Sequence, residues 1–146
     1  MFNPDFKEFV QLLIQNQVEY LIVGGYAVSI HGYPRYTGDL DIWINSTNGN
    51  AKKVVACLNE FGFSSYELTE KDFTKEYGIV QLGYPPVRID IINTVDGVDF
   101  GECFLKKSII EIDGLSVNFI GLEDLIKNKK TTARPRDIDD VENLTK

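Results

Sequence analysis

The sequence predicts one mixed α/β domain over residues 1–146, a short mixed β-sheet flanked by helices with an acidic site on its open face. Three observations predict it. Apolar residues recur at helical spacing in some segments and alternate with period two in others. A strand-like run ends at Gly24-Gly25 and leads directly into a short helical pattern, and two β-rich runs joined by Asp113-Gly114 form a hairpin signature. With 43% apolar and 25% charged residues, the composition excludes disorder and a collagen-like chain. A chain of this length buries roughly two-thirds of its unfolded surface, enough for a core without disulfides or structural metal.

Asn3-Pro4-Asp5 supplies an N-cap, a proline at the first helical position and an early acid, so a helix is expected over 4–16 with Phe6, Phe9, Val10 and Leu13 inward. Residues 20–23 read as a buried strand, 26–31 as a short helix, and 32–38 as a loop. Residues 39–44 alternate with period two, which sets Leu40, Ile42 and Ile44 on the core face. A second long helix is expected over 50–61, closed by Gly62. Thr69-Glu70-Lys71-Asp72 can cap a short helix, although its fourth residue is Asp rather than the preferred Glu. Strands are expected at 79–82, 87–92, 109–112 and 115–119, and helices at 122–130 and 135–144.

Charge narrows the function. Fifteen basic against 22 acidic residues give a formal charge of −7, which disfavours an extended DNA-binding surface. The densest basic run, 127–136, reads as a solvated helix face or a local RNA contact. No apolar run approaches the ~20 residues of a membrane span. The start has no basic n-region, and the two cysteines read as reduced, buried thiols of a cytoplasmic protein.

Asp39 and Asp41 are two apart on a strand, so their carboxylates share a face about 6.5–7 Å apart. In residues 87–92, Ile89 and Ile91 can face the core, turning Asp90 and Arg88 to the opposite side. If the two strands are neighbours, three acids converge. Such a cluster repels itself unless a hard cation such as Mg²⁺ or Mn²⁺ neutralises it, and two such metals can clamp the attacking and leaving oxygens of a phosphoryl-type displacement. An isolated Asp-x-Asp would be ordinary on a solvated strand face. Here Gly24-Gly25 offers exposed backbone N–H groups to a phosphate, and Arg35 and Thr37 add a cation and a hydroxyl suited to triphosphate oxygens.

These residues resemble the nucleotidyltransferases of the DNA polymerase beta superfamily. Val23-Gly24-Gly25, thirteen residues, then Asp39-Leu40-Asp41 is the pattern, and Asp90 in Arg88-Ile89-Asp90-Ile91 matches the third acid. Residues 24–41, with Lys129, Arg134-Pro135-Arg136-Asp137 and Asp140, are similar to the small bacterial branch that includes abortive-infection and toxin-type nucleotidyltransferases. That branch has Lys where Arg136 stands here. The resemblance implies a nucleotidyltransferase fold and a Mg²⁺- or Mn²⁺-dependent transfer of a nucleoside monophosphate from an NTP such as ATP to a hydroxyl. Asp39, Asp41 and Asp90 would hold the metals, Asp90 would also serve as base, and Gly24, Gly25, Arg35, Thr37 and Lys129 would bind the nucleotide. RNA, tRNA or protein is a more attractive acceptor than a small molecule, and a toxin-like member would be controlled by an antitoxin or other regulatory partner.

Two rival functions share this sequence: a nucleotide-binding or regulatory module that keeps the fold without catalysis, and an RNA-binding protein without activity. Asp137 and Asp140 either serve the acceptor or pair with nearby cations. His31 reads as a packing or hydrogen-bonding residue. Trp43 and Tyr84-Pro85-Pro86 form either a base-stacking surface or ordinary packing.

Overall fold

The computed structural model describes residues 2–84 and 86–146. Asn3 caps the first helix, α1 (Pro4–Gln15), its side-chain oxygen accepting from the Phe6 N–H at 2.9 Å. The chain then forms β1 (Tyr20–Val23), α2 (Gly24–Ile30), β2 (Asp39–Ile44) and α3 (Asn48–Phe61), which Gly62 ends in the left-handed conformation. A 3₁₀ turn at Ser64–Tyr66 precedes α4 (Lys71–Thr74), β3 (Ile79–Tyr84) and β4 (Val87–Ile92). Asp72 accepts from the Thr69 N–H at 2.8 Å, so its shorter side chain still makes the backward half of the cap. The chain ends with α5 (Phe100–Leu105), β5 (Ser108–Ile112), β6 (Leu115–Phe119), α6 (Leu122–Thr132) and α7 (Pro135–Leu144).

The six strands form one mixed sheet in the order β3-β4-β2-β1-β6-β5. Strand β2 lies antiparallel to β1 and parallel to β4, and the β5–β6 hairpin attaches through a parallel contact of β6 with β1. Leu40, Ile42 and Ile44 are buried with Phe6, Phe9 and Leu13 of α1 in one apolar cluster. Each such side chain contributes about 1.5–3 kcal/mol by leaving water.

Three elements differ from expectation, and one open alternative is resolved. Helix α2 starts at Gly24 rather than at residue 26, because glycine at φ +68° lets the chain turn from strand to helix without a spacer. Helix α5 stands where no helix is expected. Its signal is Asp99, which accepts from the Glu102 N–H at 3.1 Å, three residues on. The 3₁₀ turn was likewise unexpected. Trp43 is no stacking surface: it is 2% exposed and packs edge-on against Phe100 at 5.2 Å. Tyr84 is 83% exposed, and Pro85 lies outside the described residues. His31 bonds the Ile120 carbonyl at 2.7 Å, and Cys57 and Cys103 are buried and free. Burial pushes both thiols up to about 12, which keeps them protonated. No helix among the described residues is long and apolar enough to cross a membrane.

Candidate active site

Period two on β2 places Asp39, Asp41 and Trp43 on one sheet face. Helix α5 covers the Trp43 end through Phe100, leaving the acidic end open. The parallel register sets Asp41 beside Asp90 and Asp39 beside Arg88, while antiparallel pairing brings Val23, at the end of β1, beside Asp41. The two glycines after Val23 are required by space as well as by backbone angle. A Cβ at Gly24 would collide with the Asp41 carboxylate, and one at Gly25 with the Thr37 side chain. All eight residues expected at the site, Gly24, Gly25, Arg35, Thr37, Asp39, Asp41, Asp90 and Lys129, line one cavity of about 560 Å³.

Within that cavity the acids are not alike. Arg88 spans two of them, its Nε donating to Asp90 Oδ1 at 2.8 Å and its Nη2 to Asp39 Oδ2 at 2.9 Å and Asp90 Oδ2 at 3.1 Å. Asp41 makes no hydrogen bond or ion pair among the described residues. Burial, and then the Asp90 and Asp39 carboxylates, push its carboxyl up to about 7, against a smaller pull from Lys129 and Arg88. Among the described residues no three acids, histidines or cysteines are gathered as a ready metal cage. The donor set nevertheless fits a hard divalent cation. It consists of three carboxylates at adjacent register positions, one without a partner, beside a glycine whose missing Cβ keeps that carboxylate approachable.

A second charged group lies behind the first. Asp137 and Asp140 on α7 are fully buried. Arg35 reaches Asp140 through two bonds of 3.0 Å, and Lys129 lies 3.2 Å from both Asp137 and Asp140. Arg134 Nε donates to Asp137 at 2.7 Å, as does the Thr132 hydroxyl. Burial alone would raise the pKa of Asp137, but the bonds from Arg134, Thr132 and Lys129 hold its carboxyl well below the usual range. The two α7 acids therefore pair with cations, one of the two alternatives left open by the sequence. The expected phosphate ligands Arg35 and Lys129 reach the cavity with their charges already anchored on α7. Lys129 is also buried, so the basic run is not wholly a solvated face.

Three cavity cations, Arg88, Arg134 and Arg136, were not among the expected site residues. For Arg88 the signal was present, since period two puts it on the face of Asp90.

Solved structures share this architecture. TM1012 from Thermotoga maritima, a provisionally assigned nucleotidyltransferase, superposes with a TM-score of 0.64 at 16% identity, covering 97% of this chain and 93% of that one. The lincosamide antibiotic adenylyltransferase LnuA, with lincomycin bound, gives 0.59 at 17% identity over 99% and 97%. ANT(2″)-Ia in complex with adenylyl-2″-tobramycin gives 0.60 at 16% identity over 95% and 84%. At these identities the likeness establishes the fold. No curated protein matches the chain. A family model covers residues 5–145, and with the acid-lined cavity in place the chain belongs to the family described as nucleotidyltransferase of unknown function (DUF6036).

Proposed function

We propose that residues 1–146 act as one catalytic domain that moves a nucleoside monophosphate from an NTP to a hydroxyl, dependent on a divalent metal. The observation that carries this reading is the unpartnered Asp41. Of the three carboxylates in the cavity Arg88 bonds Asp39 and Asp90, while Asp41, at the register position beside Asp90, is bonded by no cation among the described residues. A bound Mg²⁺ or Mn²⁺ would be held by Asp39, Asp41 and Asp90 and would neutralise charge on the triphosphate. Gly24 and Gly25 admit the Asp41 carboxylate and the Thr37 hydroxyl close against the backbone, and Arg35 and Lys129 present cationic groups held in place by Asp140. The acceptor oxygen bonds the α-phosphorus as the bond from that phosphorus to the bridging oxygen breaks. Pyrophosphate leaves with the electron pair, and the hydroxyl proton passes to a carboxylate of the cluster.

Arg88 favours a second reading, because it occupies Asp39 and Asp90 as a substitute cation would: a nucleotide-binding or regulatory module without turnover. Parallel incubations with α-³²P- and γ-³²P-labelled NTP, Mg²⁺ or Mn²⁺ and cell extract separate the two. Nucleotidyl transfer moves the α label to an acceptor and releases the γ label as pyrophosphate. Nucleotide binding with neither label moved supports the module, and transfer of the γ label contradicts both. The toxin-like role and antitoxin control implied by the resemblance rest on the identity of that acceptor, which the same experiment identifies as RNA, protein or small molecule.

A further inference from the structure

A second cavity, of about 410 Å³, meets the first at Asp41 and also shares Gly24, Lys129 and Arg134 with it. Its remaining wall has a different character: Ile79 and Ile92 of the sheet and Val95 are apolar, Tyr77 stands at the side, and Thr94 and Asp96 supply polar edges. Tyr77 is 68% exposed with φ +53°, a conformation few aromatic residues adopt, and Ile79 is 60% exposed. Exposed apolar and aromatic side chains lining a concave surface beside an acid cluster are the usual composition of a small-molecule site.

On the functional reading given above, the triphosphate is held by Gly24 and Lys129, which line both cavities, and by Gly25, Arg35 and Thr37, which line the first alone and so mark its pyrophosphate end. Displacement at phosphorus is in line, so the attacking hydroxyl approaches from the side of the reacting phosphorus away from those residues. The second cavity opens on that side, across Asp41. We propose that it is the acceptor site, and that it takes a compact hydroxyl-bearing small molecule with an apolar face and a hydrogen-bonding or cationic edge. Apart from Lys129, already assigned to the triphosphate, and Arg134, paired with Asp137, the described residues that line it include no cation for a phosphodiester backbone. The formal charge of −7 works in the same direction. This reverses the preference for RNA or protein drawn from the sequence. In the step itself, the acceptor O–H gives its oxygen to the α-phosphorus and its proton to the cluster, with Asp41 the carboxylate common to both cavities, while pyrophosphate leaves into the first cavity.

Ile79→Trp and Thr94→Trp fill the second cavity from exposed positions, and thermal melts establish that both variants are folded. Calorimetric titration with α,β-methylene-ATP and Mg²⁺ reads the nucleotide site. Saturation-transfer NMR against a cell extract limited to solutes below about 1 kDa, with the analogue present, reads the acceptor site, and a short single-stranded RNA is titrated in parallel. Both variants are expected to hold the analogue within twofold of wild type and to lose at least tenfold of the saturation transfer that wild type gives to a small solute. A tenfold loss of analogue affinity in the variants assigns the cavity to the nucleoside and overturns the proposal. Absence of saturation transfer with wild type overturns it too, as does RNA binding that the tryptophans weaken. Wild type that fails to bind the analogue at all defeats the nucleotidyltransferase reading itself, and the acceptor assignment falls with it.

Discussion

Two groups of acids lie on either side of Lys129, and they are balanced in opposite ways. Asp137 and Asp140 are fully buried and share Arg35, Lys129 and Arg134, so nearly every carboxylate oxygen meets a donor at 2.7–3.2 Å. Asp39, Asp41 and Asp90 have Arg88 for the outer two and nothing for Asp41, whose carboxyl is pushed up to about 7. A complete ion network holds a structure together and has no carboxylate left for a metal. An incomplete one destabilises the empty fold and is completed by whatever cation enters. Acid content alone therefore does not distinguish scaffold from active site. The ratio of carboxylates to committed donors does.

The largest expected effect separates the groups by activity. Asp39→Asn with Asp41→Asn lowers label transfer on the order of 10³-fold or more, read by turnover of α-³²P-NTP in a protein whose melting curve stays cooperative. Retained turnover in that folded protein would falsify the assignment of these acids. Next comes stability, where Asp140→Ala strips the half-buried Arg35 of its carboxylate and leaves the buried Lys129 with Asp137 alone. Urea unfolding is expected to show a loss of about 3–5 kcal/mol.

Asp41→Asn moves stability the other way. Folding raises the carboxyl from the ordinary 3.8 to about 7, so the native state binds the proton more tightly and wild-type stability falls as pH rises between those values. In EDTA at pH 8 the Asn variant is expected to be more stable than wild type by about 1–3 kcal/mol, with the difference fading towards pH 4. A constant difference across that range contradicts the charge argument. The smallest effect is expected at Arg88, which is partly solvated. Arg88→Gln lowers the metal-free melting temperature modestly, and more at pH 8 than at pH 5, because the cluster loses its single bridging cation when its acids are charged.

The open half of this comparison was legible in the sequence, and the closed half only as one of two alternatives. Alternation on 39–44 puts Asp39 and Asp41 on one face of their strand, and alternation on 87–92 puts Asp90 opposite Ile89 and Ile91, because a strand has a fixed period of two; the parallel register of β2 with β4 makes those two faces one. The Gly24-Gly25 pair announces a close approach for the same local reason. By contrast, the Arg35–Asp140 pair joins residues 105 positions apart, and no local pattern encodes which buried acid a loop arginine finds. Trp43 illustrates the same limit. Its face follows from periodicity, but its burial depends on Phe100 of a six-residue helix that contributes little periodic signal.

The central claim is that the incomplete cluster, and not the complete one, binds the metal. Its most direct test is urea unfolding of wild type, Asp41→Asn and Asp140→Asn at pH 8, each in EDTA and in Mn²⁺. Mn²⁺ at a hundred times its dissociation constant stabilises a one-site binder by about 2.7 kcal/mol. The account predicts that gain for wild type, a comparable gain for Asp140→Asn from its lower baseline, and none for Asp41→Asn. An equal gain in Asp41→Asn, or no gain in wild type, would contradict it.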